Sequence, residues 1–180
     1  DEMKEEVLAI ANQQDSNGQT PLTIAIIRQN DRGQEPFLTY QFLIENGADV
    51  NKSESRHGNY PVNYAIHNAD FDMIELLLDS GANLNVKNTT GYTPCHFAII
   101  LGNIDIIRFL VSRGMDCSIA ADNNEKPFDM AVQNLNLSVN QREQNKWQTI
   151  LDLLISSPPT PGFNYGFQQG VKYALEYLSK

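Results

Sequence analysis

The sequence has 180 residues, of which 41% are hydrophobic and 19% are charged, and its formal net charge at pH 7 is -9. It contains no run of about 18 consecutive apolar residues, so membrane insertion is not expected. The 13 lysines and arginines are scattered rather than clustered, which argues against nucleic acid as a partner, because phosphate binding needs a basic stripe.

The first predicted element is a helix from Glu2 to Gln14, with Val7, Leu8 and Ala11 on one side. The acidic start lacks the basic and apolar pattern of a secretory leader. Because the sequence does not begin with methionine, we expect an excised or processed fragment. Two cysteines are too few for a disulfide framework, so we expect a reducing compartment.

Prolines mark a repeated unit in the chain that follows. Pro61, Pro94 and Pro127 are 33 residues apart, and Pro21 precedes Pro61 by 40 residues, which is one period plus an insertion. A second series keeps the same phase, at Gly47, Gly81 and Gly114. Together the two series predict an array over residues 15–157, in units of about 15–54, 55–87, 88–120 and 121–157.

Each unit has the pattern of two short helices followed by a turn. Thr20 and Thr93 are suited to cap a first helix that has proline at its first position. Tyr60 and Lys126 replace threonine in the second and fourth units, and the loss of such a cap typically costs about 1 kcal/mol. Small residues that let neighbouring helices approach recur at one phase, at Ala25, Ala65, Ala98 and Ala131. An aliphatic second helix then ends at the glycine, where a left-handed residue is favoured.

The segment Gly91-Tyr92-Thr93-Pro94-Cys95-His96-Phe97-Ala98, continued to Gly114, resembles the ankyrin repeat. The pattern of that family includes Asp-x-x-Gly-x-Thr-Pro-Leu-His-x-Ala, then Leu-Leu, then Gly-Ala-x-x-Asn. The resemblance extends from about Asp15 to Ile155. It implies an all-α fold, an ankyrin-repeat solenoid of about four helix-turn-helix repeats joined by short β-hairpin loops, with capping helices at both ends.

The segments outside the array are expected to cover its exposed ends. Residues 1–14 are the N-terminal capping helix. Residues 158–180 combine a proline-rich break with an amphipathic helix from about Gln168 to Ser179, which is a C-terminal cap, a separate docking helix or the start of another domain. Two polar insertions, Asp31–Pro36 and about Asn136–Asn145, are expected to be surface loops on the edge opposite the hairpins, or an accessory contact site.

No catalytic residues are predicted. Cys95 and His96 are adjacent on a helix, so their side chains point about 100° apart, and the imidazole is poorly placed to deprotonate the thiol. The resemblance implies that Cys95 takes a buried leucine position and that His96 bonds to the turn of its own repeat. The histidines and cysteines lack metal-ligand spacing, and no phosphate loop or nucleophile motif is present. We therefore expect no enzyme activity, no cofactor and no metal.

The resemblance implies a concave surface for a partner protein, built from hairpin tips and the exposed side of the first helices. Interface energy concentrates in aromatic, arginine and apolar positions. The residues placed there are Ile27, Arg28, Arg56, His57, Asn59, His67, Thr90, Tyr92, Ile100, Leu101, Asp122 and Glu125. Asp122 and Glu125 give this surface an acidic end, which suits a partner with basic residues there.

The sequence thus predicts a monomeric protein-interaction module located in the cytoplasm, or in a host cytoplasm if it is a secreted bacterial effector, with the nucleus also possible. One alternative is a targeting or substrate-recruiting domain of a larger protein whose catalytic domain lies outside this chain. A purely structural spacer is a second alternative, and an enzyme in its own right is a third.

Overall fold

The computed structural model describes residues 2–28 and 36–156, and all the regular secondary structure in these ranges is helical. The helices are α1 (Glu2–Ala11), α2 (Pro21–Ile27), α3 (Pro36–Glu45), α4 (Pro61–His67), α5 (Phe71–Asp79), α6 (Pro94–Leu101), α7 (Ile104–Ser112), α8 (Pro127–Leu137) and α9 (Gln141–Ser156). The predicted all-α fold is confirmed. The helix predicted near residues 168–179 and most of the insertion at 31–36 lie outside the described residues.

The helices form four consecutive pairs, α2–α3, α4–α5, α6–α7 and α8–α9. The first helices pack side by side in chain order, α2 on α4, α4 on α6 and α6 on α8. The second helices form another row, in which α3 packs on α5 and α7 packs on α9. This arrangement is the predicted solenoid, in which each pair contacts only its neighbours.

The first helices begin where the sequence predicted. Three of them are capped, each in a different way, whereas α8 has no side-chain cap at Lys126. In α2, the Thr20 side chain accepts from the backbone N–H of Thr23. In α4, where Tyr60 lacks a suitable short side chain, the Asn63 carboxamide oxygen instead accepts from the Tyr60 N–H at 2.8 Å. In α6, His96 Nδ1 takes the place of that amide. The missing threonine at position 60 is therefore compensated by the third residue of the helix.

A continuous apolar seam runs between the two rows of helices. Ala65, Ala98 and Ala131 are fully buried, as their spacing predicted, so the first helices can approach closely. Aliphatic side chains from both rows fill the rest of the seam, among them Ile66, Ile74, Leu77, Ile99, Ile107, Leu110 and Ile150. Complete burial of each such side chain stabilises the fold by about 1.5–3 kcal/mol, so stacking supplies most of the stability that these short helices lack alone.

Three asparagines, Asn12, Asn51 and Asn85, join α1 and the first three units in chain order. Asn12 Nδ2 donates to the Gly47 carbonyl at 2.8 Å, and Asn12 Oδ1 accepts from the Asp49 N–H at 2.7 Å. Asn51 makes the same two bonds with the following unit, and Asn85 makes the second of them. The repeated geometry fixes the register of one unit on the next.

The helix α1 joins the array through this asparagine series. It ends at Ala11, three residues before the predicted end, and Ala11 is its buried residue. Val7 and Leu8 are 39% and 49% exposed. Leu8 still approaches the first unit, because a Cβ added at Gly47 would lie 2.5 Å from Leu8 Cδ1. The side chain of Asn12 adds the polar contacts.

The predicted insertion at Asn136–Asn145 is mostly helical. Helix α8 continues to Leu137 and α9 begins at Gln141, so only residues 138–140 connect them. The Asn140 side chain accepts from the Glu143 N–H at 2.9 Å and caps α9. The polar residues that suggested a loop form the solvated first turn of a 16-residue helix. The loop prediction was wrong because polar composition alone does not distinguish a loop from an exposed turn of helix.

Candidate protein-binding surface

Each unit opens with a tight turn, which is called its tip below. Hydrogen bonds between neighbouring turns join the four tips into one edge of the array. In the third unit, the Asn88 N–H donates to the Tyr92 carbonyl at 3.0 Å. The Asn88 side-chain oxygen accepts from the N–H groups of Thr90 and Tyr92 at 3.0 and 2.9 Å. Asp15 makes the equivalent bonds in the first unit. The turn backbone is therefore held by the side chain that begins it.

The turn of the second unit is one residue longer and is organised by Glu54. The carboxylate is 2% exposed and accepts three backbone N–H bonds, from Arg56 at 2.5 Å, His57 at 2.8 Å and Asn59 at 3.1 Å. Burial alone would raise the pKa of Glu54. These three bonds and the nearby His57 ring outweigh burial and lower the pKa below its ordinary value. The longer side chain of glutamate spans the longer turn.

Sequence reasoning did not identify Glu54 as the residue that positions Arg56, His57 and Asn59. A signal was present, because an acidic residue begins this turn as Asp15 begins the first one. The extra residue in the turn hid the correspondence.

Backbone hydrogen bonds join neighbouring tips into a continuous edge. The Asn17 carbonyl accepts from Ser55, the His57 carbonyl accepts from Thr89, and the Thr90 carbonyl accepts from Asp122, at 2.9–3.2 Å. These approaches are close. At Gly91, whose φ is +79°, an added Cβ would lie 2.4 Å from the Asp122 nitrogen. Glycine at this position lets the third and fourth tips meet.

Tyr92, His96 and Glu125 form a cluster between the third and fourth tips. The Tyr92 ring stacks on the His96 ring with centroids 4.8 Å apart, and its hydroxyl donates to Glu125 Oε2 at 3.1 Å. His96 Nε2 lies 3.2 Å from the Glu125 carbonyl oxygen. Two predicted site residues, Tyr92 and Glu125, are thus brought together. Both are half-buried, so each presents only part of its side chain to a partner.

The hydrogen bonds of His96 define its tautomer. Nδ1 accepts from the Thr93 N–H at 3.0 Å, so the ring proton resides on Nε2, which donates to the Glu125 carbonyl. The residue is fully buried, and burial lowers its pKa although the Glu125 contacts raise it. His96 therefore stays neutral and structural. His96 bonds Thr93, directly after the turn of its own repeat, and it also bonds Glu125 in the turn of the fourth unit.

A second row of exposed residues follows the C-terminal ends of the first helices. Ile27, His67 and Ile100 occupy the same register position at the ends of α2, α4 and α6. Ile100 is 57% exposed and Ile27 is 39% exposed, although both are apolar. Leu101 follows Ile100 and is half-buried, and Arg28 follows Ile27 and is exposed. This row and the edge of tips together are called the tip–helix surface below.

The structure places all twelve predicted partner-binding residues on the tip–helix surface. Those whose side chains are exposed are Ile27, Arg28, Arg56, His57, His67, Thr90, Ile100 and Asp122. Those that are half-buried are Asn59, Tyr92, Leu101 and Glu125. Basic side chains are concentrated on the first two units, acidic side chains on the fourth, and apolar side chains on the third.

The two cysteines are not free, contrary to expectation. Cys95 and Cys117 are joined in a disulfide, with their Cα atoms 5.5 Å apart. The count of two cysteines therefore gives no reason to expect a reducing compartment. Cys95 is fully buried, as predicted. Its sulfur is bonded to Cys117 and does not face the His96 imidazole as a nucleophile.

Within residues 2–28 and 36–156, no three side chains of His, Cys, Asp or Glu are grouped so that they could hold a metal ion. None of the helices in this part of the chain has the length and apolar character that crossing a bilayer requires.

Comparison with known proteins identifies the repeat. A family model described as ankyrin repeats (3 copies) matches residues 3–88, 36–121 and 64–141. A putative ankyrin repeat protein of fowlpox virus is 33% identical over 117 residues, which is 64% of this chain and 32% of that protein. The mouse B-cell lymphoma 3 protein homolog is 32% identical over 114 residues, 63% of this chain and 24% of that protein. A ubiquitin-protein ligase of Arabidopsis thaliana is 27% identical over 113 residues, 63% of this chain and 7% of that protein. The chain thus spans a third or less of the length of these relatives.

Proposed function

We propose that this chain, which belongs to the ankyrin-repeat family, binds a partner protein through its tip–helix surface. Ankyrin repeats generally mediate protein–protein interaction, and domains built from them are typically non-catalytic. The proposal for this chain is narrower. It names the surface and the chemistry of the partner, and it holds that the chain acts as a monomer without catalysis.

The exposed isoleucines are the observation that supports this choice of surface most directly. Ile27, His67 and Ile100 occupy the same position in three consecutive units. Both isoleucines remain partly exposed to water. Covering apolar area stabilises a complex by about 25 cal/mol per Å². Contiguous apolar patches with a polar rim are typical of interaction sites, and half-buried Leu101 extends the apolar area beside Ile100.

The tip–helix surface is also rigid, which lowers the entropic cost of binding. Hydrogen bonds between neighbouring tips and the anchoring side chains of Glu54 and Asn88 hold the exposed residues in fixed positions. A partner therefore meets a preformed surface rather than one that must become ordered.

The distribution of charge indicates what the partner presents. Arg28 and Arg56 lie at one end and Asp122 at the other, with Ile100 and Leu101 between them. A complementary segment has an apolar centre, acidic residues toward the first two units and basic residues toward the fourth. With a net charge of -9 on the chain, a protein with such a segment is favoured over nucleic acid.

A targeting role within a larger protein is the second candidate. The Arabidopsis relative is a ubiquitin-protein ligase of which this chain spans 7%. In that case the tip–helix surface recruits a substrate for an activity located elsewhere in the same polypeptide. The same surface and the same variants test both candidates, and the presence of a catalytic domain in the full-length protein distinguishes them.

The test compares two variants that replace an exposed apolar residue by aspartate. Ile100→Asp alters the tip–helix surface. Val139→Asp, at a residue that is 89% exposed in the α8–α9 connection, is the matched control on the opposite edge. Affinity capture from nuclease-treated lysate, followed by mass spectrometry and titration of each purified candidate, measures binding. We expect wild type and Val139→Asp to capture the same partner protein. The affinity of Ile100→Asp for that partner should be lower by at least about tenfold. Equal binding by all three forms would refute the proposed surface.

A further inference from the structure

The disulfide joins the first turn of α6 to the loop that follows α7 in the third unit. Cys95 is the second residue of α6, and Cys117 lies in the loop that follows α7, 22 residues later. Both are buried, Cys95 completely and Cys117 to 9% exposure. Within the described residues it is the sole covalent cross-link of the array.

Apolar residues occupy the same two positions in the preceding units. In the second unit they are Val62 and Leu84, also 22 residues apart, and in the first unit they are Leu22 and Val50. All four are buried in the common core. The third unit therefore replaces a non-covalent apolar pair by a covalent bond, at a site that apolar packing alone maintains elsewhere.

We propose that the Cys95–Cys117 bond is a thiol–disulfide exchange site that sets the stability of the third unit without being required for its fold. This inference is independent of the proposed partner-binding function. In the oxidised chain the cross-link stabilises the third unit, and a dithiol reductant removes this stabilisation by reducing the bond.

The geometry favours attack at Cys117. Cys117 retains some exposure and Cys95 has none, so a thiolate of the reductant reaches the Cys117 sulfur first. A mixed disulfide forms there, and the Cys95 sulfur leaves with the electron pair as a thiolate. The second thiol of the reductant then attacks the reductant sulfur that is bonded to Cys117, and the Cys117 sulfur leaves as a thiolate. Two electrons pass to the protein, two thiols form, and the reductant becomes a cyclic disulfide.

The surrounding contacts explain why the fold outlasts the bond. The loop carrying Cys117 is held by Asp116, whose N–H donates to the Asn85 side chain at 2.9 Å. The Asp116 carboxylate in turn accepts from the Ser118 N–H at 2.8 Å. Reduction leaves these bonds in place and puts two small, weakly polar thiols where the second unit has valine and leucine.

The expected effect follows from the length of the closed loop. A cross-link that spans about 22 residues constrains the unfolded chain enough to change the unfolding equilibrium constant on the order of 100-fold. Protein purified in air is unfolded in urea with and without dithiothreitol, and the fluorescence of Trp147 in α9 is recorded. On reduction, the folding equilibrium constant of wild type should fall about 100-fold. The fluorescence of the folded state should not change.

The control copies the second unit into the third. The double variant Cys95→Val plus Cys117→Leu should fold and should give the same urea midpoint with and without dithiothreitol. Hydrogen exchange locates the effect, since reduction of wild type should accelerate exchange in α6 and α7 more than in α4.

Three outcomes would overturn the proposal. The first is alkylation of both cysteines in denatured, unreduced protein, as seen by intact mass. The second is an unchanged midpoint although both thiols are shown to be free. The third is loss of the folded baseline on reduction, which would make the bond a requirement of the fold.

Discussion

Replacing Glu54 by alanine should lower the free energy of unfolding by about 2–3 kcal/mol at neutral pH. The side chain accepts three backbone N–H bonds, and each such bond contributes on the order of 1 kcal/mol net. Part of the loss is recovered because Arg56 and His57 are exposed and their N–H groups can bond to water. Urea unfolding followed by far-UV circular dichroism measures the change.

Glu54→Gln is the matched control, since it keeps the shape and one acceptor oxygen. Oε1 accepts from His57 and Asn59, whereas Oε2 accepts from Arg56. The amide retains the first two bonds and points an NH₂ group at the Arg56 N–H. The expected loss is therefore about 1 kcal/mol, half or less of the loss in the alanine variant.

The pH dependence gives an independent check on Glu54. Its pKa in the folded state lies below the ordinary value of 4.5, so the unfolded chain binds the proton more readily. The carboxylate then stabilises the fold fully above about pH 4.5, and this contribution is lost as the pH falls through the folded-state pKa. The stability difference between wild type and Glu54→Gln should shrink in acid. An alanine variant within about 0.5 kcal/mol of wild type at neutral pH, or a difference that is constant with pH, would refute this reasoning.

Two further predictions concern the contacts between units. His96→Asn copies Asn63 of the second unit and should retain the fold at a cost of about 1 kcal/mol at neutral pH. Because the pKa of His96 is lowered in the fold, wild type should lose stability as the pH falls below about 6.5. The variant should not show this loss of stability when urea unfolding is measured between about pH 5 and about pH 7. A loss as large as that of wild type would contradict the lowered pKa of His96. Asn51→Ala removes two bonds between units and should cost about 1–2 kcal/mol by thermal unfolding. An unchanged melting temperature would show that the asparagine series does not stabilise the stack.

Much of the fold could be predicted because its signals are local and repeat along the chain. Pro94 marks the start of a first helix, Ala98 marks the face that packs, and Gly114 marks the end of the second helix. The twelve predicted site residues lie in the turns and at the ends of the first helices, because a position in the register is also a position on the solenoid. Whether that surface binds a partner is left to the experiment with Ile100→Asp.

The sequence by itself determined the period, the starts of the four first helices and the register, because each depends on a short motif that recurs along the chain. The tertiary structure alone decided how turns and loops meet. It brought Cys95 of α6 to Cys117 in the loop after α7, and it placed the stacked rings of Tyr92 and His96 beside Glu125 of the next unit. The physical reason is that these contacts depend on how loops approach in space once the helices have packed, and composition and spacing do not report those distances.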